Sequence, residues 1–191
     1  MEQEIQDVSI KRIQEAMPQL KGIENELIID YTEYKMPNDK HPIHRYPIRF
    51  DGLYIGLREK GKARFSINLK EFEVGHNDLV ICSPDDLVQA TLQEDVHLVQ
   101  SMVVSSHFLK EMYISLNSFM PFFATRKDHP VFHLADSEME ELKAYFLLIK
   151  DNIEKDDYFR ADIIKRLLAA YLYKLGSILY RHRPELQEEA S

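Results

Sequence analysis

Eight histidines are the chain's main stock of metal-ligating and acid–base side chains: His41, His44, His76, His97, His107, His129, His133 and His182. A mononuclear metal site on a barrel wall needs imidazoles at alternate positions of one strand, so that both point inward. No His-x-His pair occurs. His41 and His44 stand three apart, but in a segment carrying Pro37, Pro42 and Pro47. His76 falls at a turn and His97 at a strand start. The expectation is ordinary surface or hydrogen-bonded histidines, with no metal and no other cofactor. Ser105-Ser106-His107 places a hydroxyl beside an imidazole, yet neighbours at a helix start do not face one another. Ser105 or Ser106 is better suited to cap that helix. The single cysteine, Cys82, excludes an internal disulfide and reads as a small core residue. Neither a phosphate loop nor G-x-G-x-x-G occurs. The chain is therefore not expected to be an enzyme.

Polar residues inside apolar strand segments are a better lead: Arg49, Tyr54, Arg64, Gln89, His97, Gln100 and Ser101. Strand alternation turns about half of such residues inward. A barrel of about eight short strands has room for one small molecule in its mouth.

The elements that must position them centre on Phe50–Cys82, which holds four of the six glycines. Short runs rich in β-branched and aromatic residues lie between Gly52, Gly56, Gly61 and Gly75. They read as consecutive antiparallel strands of a sandwich or small barrel. Glu26–Glu33, Leu87–Leu92 and His97–Val104 add further strands. Apolar spacing predicts a helix over Gln3–Met17, ended by Pro18. From Ser106 the pattern becomes helical. Phe119, Phe122 and Phe123 form an aromatic cluster broken by Pro121. Ser137 and Glu140 make a capping box for the next helix. The last helix, from Asp156 or Asp157 to about Arg181, carries Ile164, Leu168, Tyr171, Leu175 and Ile178 in heptad-like steps, with Ile163, Leu167 and Ala170 alongside. So wide an apolar arc can serve the domain's own core and a partner subunit. Strands first and helices after is the α+β pattern.

The net charge of -8 counts against binding of nucleic acid by this chain alone, because the densest basic cluster is only Arg181-His182-Arg183. No apolar run is long enough to span a bilayer, and the charged start is not a signal peptide, so a cytoplasmic location is expected and no membrane.

Gly75-His76-Asn77-Asp78-Leu79-Val80-Ile81, followed by Ser83-Pro84, resembles the turn-and-strand signature of cupin barrels. Gly61-Lys62-Ala63-Arg64-Phe65-Ser66-Ile67-Asn68 resembles their upstream hairpin. With the helices that follow, the chain resembles the N-terminal sensing and dimerisation half of AraC-type transcription regulators. That resemblance implies a cupin-like antiparallel β-barrel (double-stranded β-helix) followed by C-terminal helices. Residues 1–25 would be an arm or helix, 26–105 the barrel, 106–183 a helical dimerisation region, and 184–191 a tail toward a DNA-binding part absent from these 191 residues. Ile164, Leu168, Tyr171, Leu175 and Ile178 would form the interface of a homodimer. Arg45, Tyr46 and Arg49 would border the barrel entrance, with Tyr54, Gln89, Gln100 and Ser101 as further contacts to a small-molecule effector. DNA would be reached only through the absent helix-turn-helix part. The alternatives are a metal-dependent cupin enzyme and a barrel that binds a partner protein.

Overall fold

The computed structural model describes residues 6–35, 42–112 and 129–182. The aromatic cluster at 119–123 and the tail at 184–191 lie outside these residues. The described chain runs β1 (Gln6–Val8), α1 (Ile10–Ala16), β2 (Lys21–Ile23), β3 (Leu27–Asp30), β4 (Tyr34–Lys35) and a 3-10 turn (Pro42–His44). It continues with β5 (Ile48–Phe50), β6 (Leu53–Lys60), β7 (Ala63–Ile67), β8 (Lys70–Val74), β9 (Asp78–Cys82), β10 (Val88–Leu92) and β11 (Val96–Val104). Then follow α2 (Ser106–Glu111), β12 (Val131–His133), α3 (Asp136–Glu154) and α4 (Arg160–Arg181).

The strands form two sheets, ordered β1-β5-β10-β7-β8 and β12-β9-β6-β11-β3-β2, with β4 added on β11. From β5 to β11 successive strands alternate between the two sheets, except that β7 and β8 are neighbours in the same one. The orders β5-β10-β7-β8 and β9-β6-β11-β3 are those of a double-stranded β-helix, the jelly-roll arrangement that cupins use. The fold is α+β, a cupin-like barrel followed by helices.

One core fills the space between the sheets, with Ile48, Phe50, Ala63, Phe65, Ile67, Val80, Val88, Ala90 and Val103. A second lies between the outer face of the β6-containing sheet and the helices. Alternation along β6 feeds both: Leu53, Ile55 and Leu57 face the helices, while Tyr54 faces the barrel interior. That sheet is covered on both sides, which explains the unbroken burial of Leu53–Arg58.

Three expectations need correction. The helix foreseen over Gln3–Met17 is shorter. Gln6–Val8 pairs in parallel with Ile48–Phe50, and Ser9 then caps α1 by accepting the Arg12 N–H at 3.2 Å. The helix placed after Ser137 starts two residues earlier. Ala135 is its N-cap, and Glu138 takes the reciprocal role by accepting the Ala135 N–H at 3.1 Å. A hydrogen bond from Leu134 N–H to the Asn77 carbonyl ties down the preceding strand and fixes where the chain turns.

The third correction concerns the dimer seam. Ile164, Leu168, Tyr171, Leu175 and Ile178 are buried to within 4% of complete in the chain's own core. They pack with Leu142, Phe146 and Ile149 of α3 and with the sheet. A partner subunit cannot reach side chains already covered this way. The heptad spacing describes packing within the chain.

The β7–β8 hairpin turns through Asn68 and Leu69, with φ of 50° and 68°. Two positive φ values define a type I′ turn, which favours Asn-Gly. Leu69 is 85% exposed, so its side chain contributes little packing. Leu69→Gly is expected to stabilise the chain by up to about 1 kcal/mol, as relief from the left-handed region outweighs the glycine's greater unfolded-state freedom. Urea denaturation would read this as a higher midpoint at unchanged slope.

Candidate ligand site

The interior-facing series Tyr54, Gly56, Arg58 on β6 meets the series Val99, Ser101 on β11 and Asp30 at the end of β3. Past the end of the interior core these side chains surround a cavity of about 150 Å³. Met17, Gln19 and Leu20 after α1, Thr32, Tyr34, Ile43, His44 and Phe65 complete its wall. Gly56 leaves space for the Tyr54 ring: a Cβ there would lie 2.5 Å from the Tyr54 hydroxyl. Tyr54 in turn stacks on Phe50, centroid to centroid at 5.4 Å.

Arg58 is the chemical centre of this cavity. It is 2% exposed. Its Nη1 donates to Nδ1 of His97 at 2.9 Å. His97 donates its other ring nitrogen, Nε2, to the Glu94 carbonyl, so the imidazole is neutral with Nδ1 as acceptor. Tyr34 stacks on the His97 ring at 5.6 Å. Arg58 Nε has no hydrogen-bond partner among the described residues, and none of their carboxylates lies within ion-pair distance of the guanidinium. Burial lowers the Arg58 pKa from its ordinary value. Burial likewise lowers that of His97, the Arg58 charge adding to it, against the opposing effect of the Glu94 carbonyl. Asp30 also faces the cavity. Burial raises its carboxyl, against hydrogen bonds from Thr32 and Tyr31.

His44 is pulled down to about 3, first by burial, then by the Arg58 charge, with a further contribution from the nearby His97. An unfolded histidine titrates near 6.5. The neutral ring therefore contributes stability that is complete above pH 6.5 and declines as pH falls toward 3, by up to about 1.4 kcal/mol per unit. Stability measured by urea at pH 7 and pH 5 should differ in this direction. His44→Gln should shrink the difference. An equal difference in wild type and variant would remove His44 as its source.

Of the seven ligand candidates read from sequence, Tyr54 and Ser101 line the cavity. Tyr46 packs at the margin of the interior core, and Arg45 is exposed. Arg49 alternates with buried Ile48 and Phe50, points outward and stands 3.8 Å from Asp7. Gln89 lies between buried Val88 and Ala90 and so faces the outside of the barrel. Gln100 faces the helices: its Nε2 donates to Glu59 at 2.6 Å, and Lys143 of α3 meets the same carboxylate at 3.0 Å. Burial acts to raise the Glu59 carboxyl, but hydrogen bonds from Lys143, Gln100 and Tyr31 bring it below its ordinary value. The Glu59 group joins barrel to helix outside the cavity. Of the other strand candidates, Arg64 pairs outward with Glu73 at 2.7 Å and His97 is the partner of Arg58.

In the sequence Arg58 by itself gives no sign of its role, because it follows the apolar run Leu53–Leu57 and looks like the charged end of a strand. The signal was the two-residue step Tyr54-Gly56-Arg58. The remaining histidines are engaged by protein groups where described: His76 with the Glu59 carbonyl, His107 with Glu26 and His133 with Asp78. No three His, Cys, Asp or Glu side chains converge as a metal set among the described residues. No helix among them is long and apolar enough to cross a membrane.

No family model matches the sequence, and no curated protein matches it. Among solved structures, the AraC-like transcriptional activator CuxR is similar at 12% identity over 81% of this chain and 51% of its own, with a TM-score of 0.48. ToxT from Vibrio cholerae is similar at 8% identity over 80% of this chain and 57% of its own, at 0.40. A cupin 2 conserved barrel domain protein from Leptotrichia buccalis is similar at 10% identity over 46% of this chain and 39% of its own, at 0.37. The chain thus spans about half the length of the two AraC-like structures. The strand order, and not these likenesses, carries the fold.

Proposed function

We propose that this chain is the regulatory half of an AraC-type transcription regulator. The barrel senses a small molecule in its cavity, two copies pair as a homodimer, and the liganded state controls a helix-turn-helix part outside these 191 residues. On this reading the protein is cytoplasmic and not an enzyme. The observation that carries the sensing role is the cavity itself, where a buried guanidinium, two tyrosines, a serine and Asp30 converge beside the apolar barrel core. The net charge of -8 fits a chain that leaves DNA contact to another part. With the heptad seam buried, pairing uses apolar side chains still exposed: Leu147 and Leu148 on α3, and Tyr158 and Phe159 between α3 and α4.

A thermal-shift screen of small metabolites, read together with sedimentation, tests this function. The expected result is a dimer at tens of micromolar and at least one metabolite that raises the melting temperature saturably. A monomer that no metabolite stabilises would overturn the reading.

A further inference from the structure

We propose that the barrel cavity binds a small monocarboxylate with an apolar body, its carboxylate seated on Arg58. This rests on the sensing role above and names the chemical class of the effector. A guanidinium 2% exposed, with Nε unpartnered and no carboxylate in ion-pair range among the described residues, is costly to bury. The groups that do touch it, the neutral His97 ring and, at 3.4 Å, the Lys60 carbonyl, orient the planar fork without neutralising it. A carboxylate supplies both missing elements, since it accepts two parallel N–H bonds and carries the compensating charge.

The rest of the wall narrows the class. Phe65, Val99 and Ile43 are apolar, and the Tyr34 and Tyr54 rings flank the guanidinium end. This apolar part of the wall suits an aromatic or branched aliphatic body, while Gln19, Thr32 and Ser101 line other parts of the cavity. A cavity near 150 Å³ is of the size that accepts benzene, so the body is a single ring or a short branched chain. Asp30, on the same wall, sets the charge. An acidic group there disfavours a second negative charge beside it, so a monoanion is favoured over a dicarboxylate.

The test uses the whole chain and three probes: sodium benzoate, sodium isovalerate and benzamide, the last being the uncharged isostere of the first. Titration calorimetry should show saturable binding of at least one acid, with benzamide at least tenfold weaker than benzoate. Arg58→Met removes the charge at similar volume and should weaken acid binding at least tenfold. Arg58→Lys, which keeps the charge but loses the fork, should weaken it less. If Arg58→Met fails to fold, the benzoate–benzamide comparison in the wild type still decides. Equal binding of benzoate and benzamide, undiminished acid binding by Arg58→Met, or no binding of either acid at millimolar concentration would each overturn the proposal. A neutral metabolite found by the thermal-shift screen, with both acids inert, would overturn the acid assignment and leave the sensing role standing. Failure of every compound in that screen would remove both.

Discussion

Leu168→Asp is expected to unfold the helical layer and not to split a dimer into folded monomers. Leu168 is fully buried, between α3 and the outer face of the β6-containing sheet. Truncating a leucine in such a site costs about 2–5 kcal/mol. A carboxylate forced into the same space must also be desolvated or protonated. The sum, about 5 kcal/mol or more, approaches the whole stability of a typical domain. Far-ultraviolet circular dichroism and urea denaturation would show lost helix signal and a collapsed transition. Sedimentation would find aggregate or expanded chain. A variant that keeps the wild-type melting temperature and runs as a compact monomer would show the seam to be intermolecular after all. Phe159→Asp, at a residue 59% exposed, is the contrasting change: it should leave the fold intact and act only on pairing.

Gly61→Ala is expected to cost about 3 kcal/mol and to disturb the cavity from outside it. Gly61 forms the two-residue corner between β6 and β7 with φ of 81°, in the left-handed region. An alanine there carries a penalty of about 1–2 kcal/mol from conformation alone. Its Cβ would also lie 2.5 Å from the Val96 carbonyl and 2.4 Å from Nδ1 of His97. The carbonyl belongs to the β11 backbone and cannot yield without moving that strand. The imidazole is the group that orients Arg58. The substitution should therefore lower stability and weaken acid binding together. Gly75→Ala is the control, because the nearest atom to its Cβ would be 3.8 Å away, an ordinary contact. Equal behaviour of the two variants would remove both the strain and the link to His97.

Much of the barrel was legible along the chain. Phe50–Cys82 does consist of short strands separated by Gly and Asn turns, and a helix starts at Ser106, although β12 brings the chain back to the sheet at Val131–His133 before the two long helices. Alternation could not say which face of a strand meets the cavity. The β6-containing sheet is apolar on both faces, so a period of two gives no inside and outside. Gln100 and Ser101 are neighbours on β11, yet one bonds Glu59 beneath α3 and the other lines the cavity. Gln89 and Arg49 look as suitable in sequence as Tyr54, and they face outward because Val88, Ala90, Ile48 and Phe50 claim the interior.

The chain's own residues determined the antiparallel strands, the amphipathic final helix and the poverty of metal or nucleophile motifs, because these depend on local spacing and residue type. Tertiary structure alone decided which surface each apolar stripe covers. The Ile164–Ile178 seam has the period of a coiled coil, but period states only that one face must be buried and not by what. The same holds for Arg58. In sequence it is one of many charges near a strand end. Only the closure of two sheets, with Gly61 letting His97 approach and Tyr34 stacking on that ring, places a guanidinium in a cavity where its Nε has no hydrogen-bond partner among the described residues.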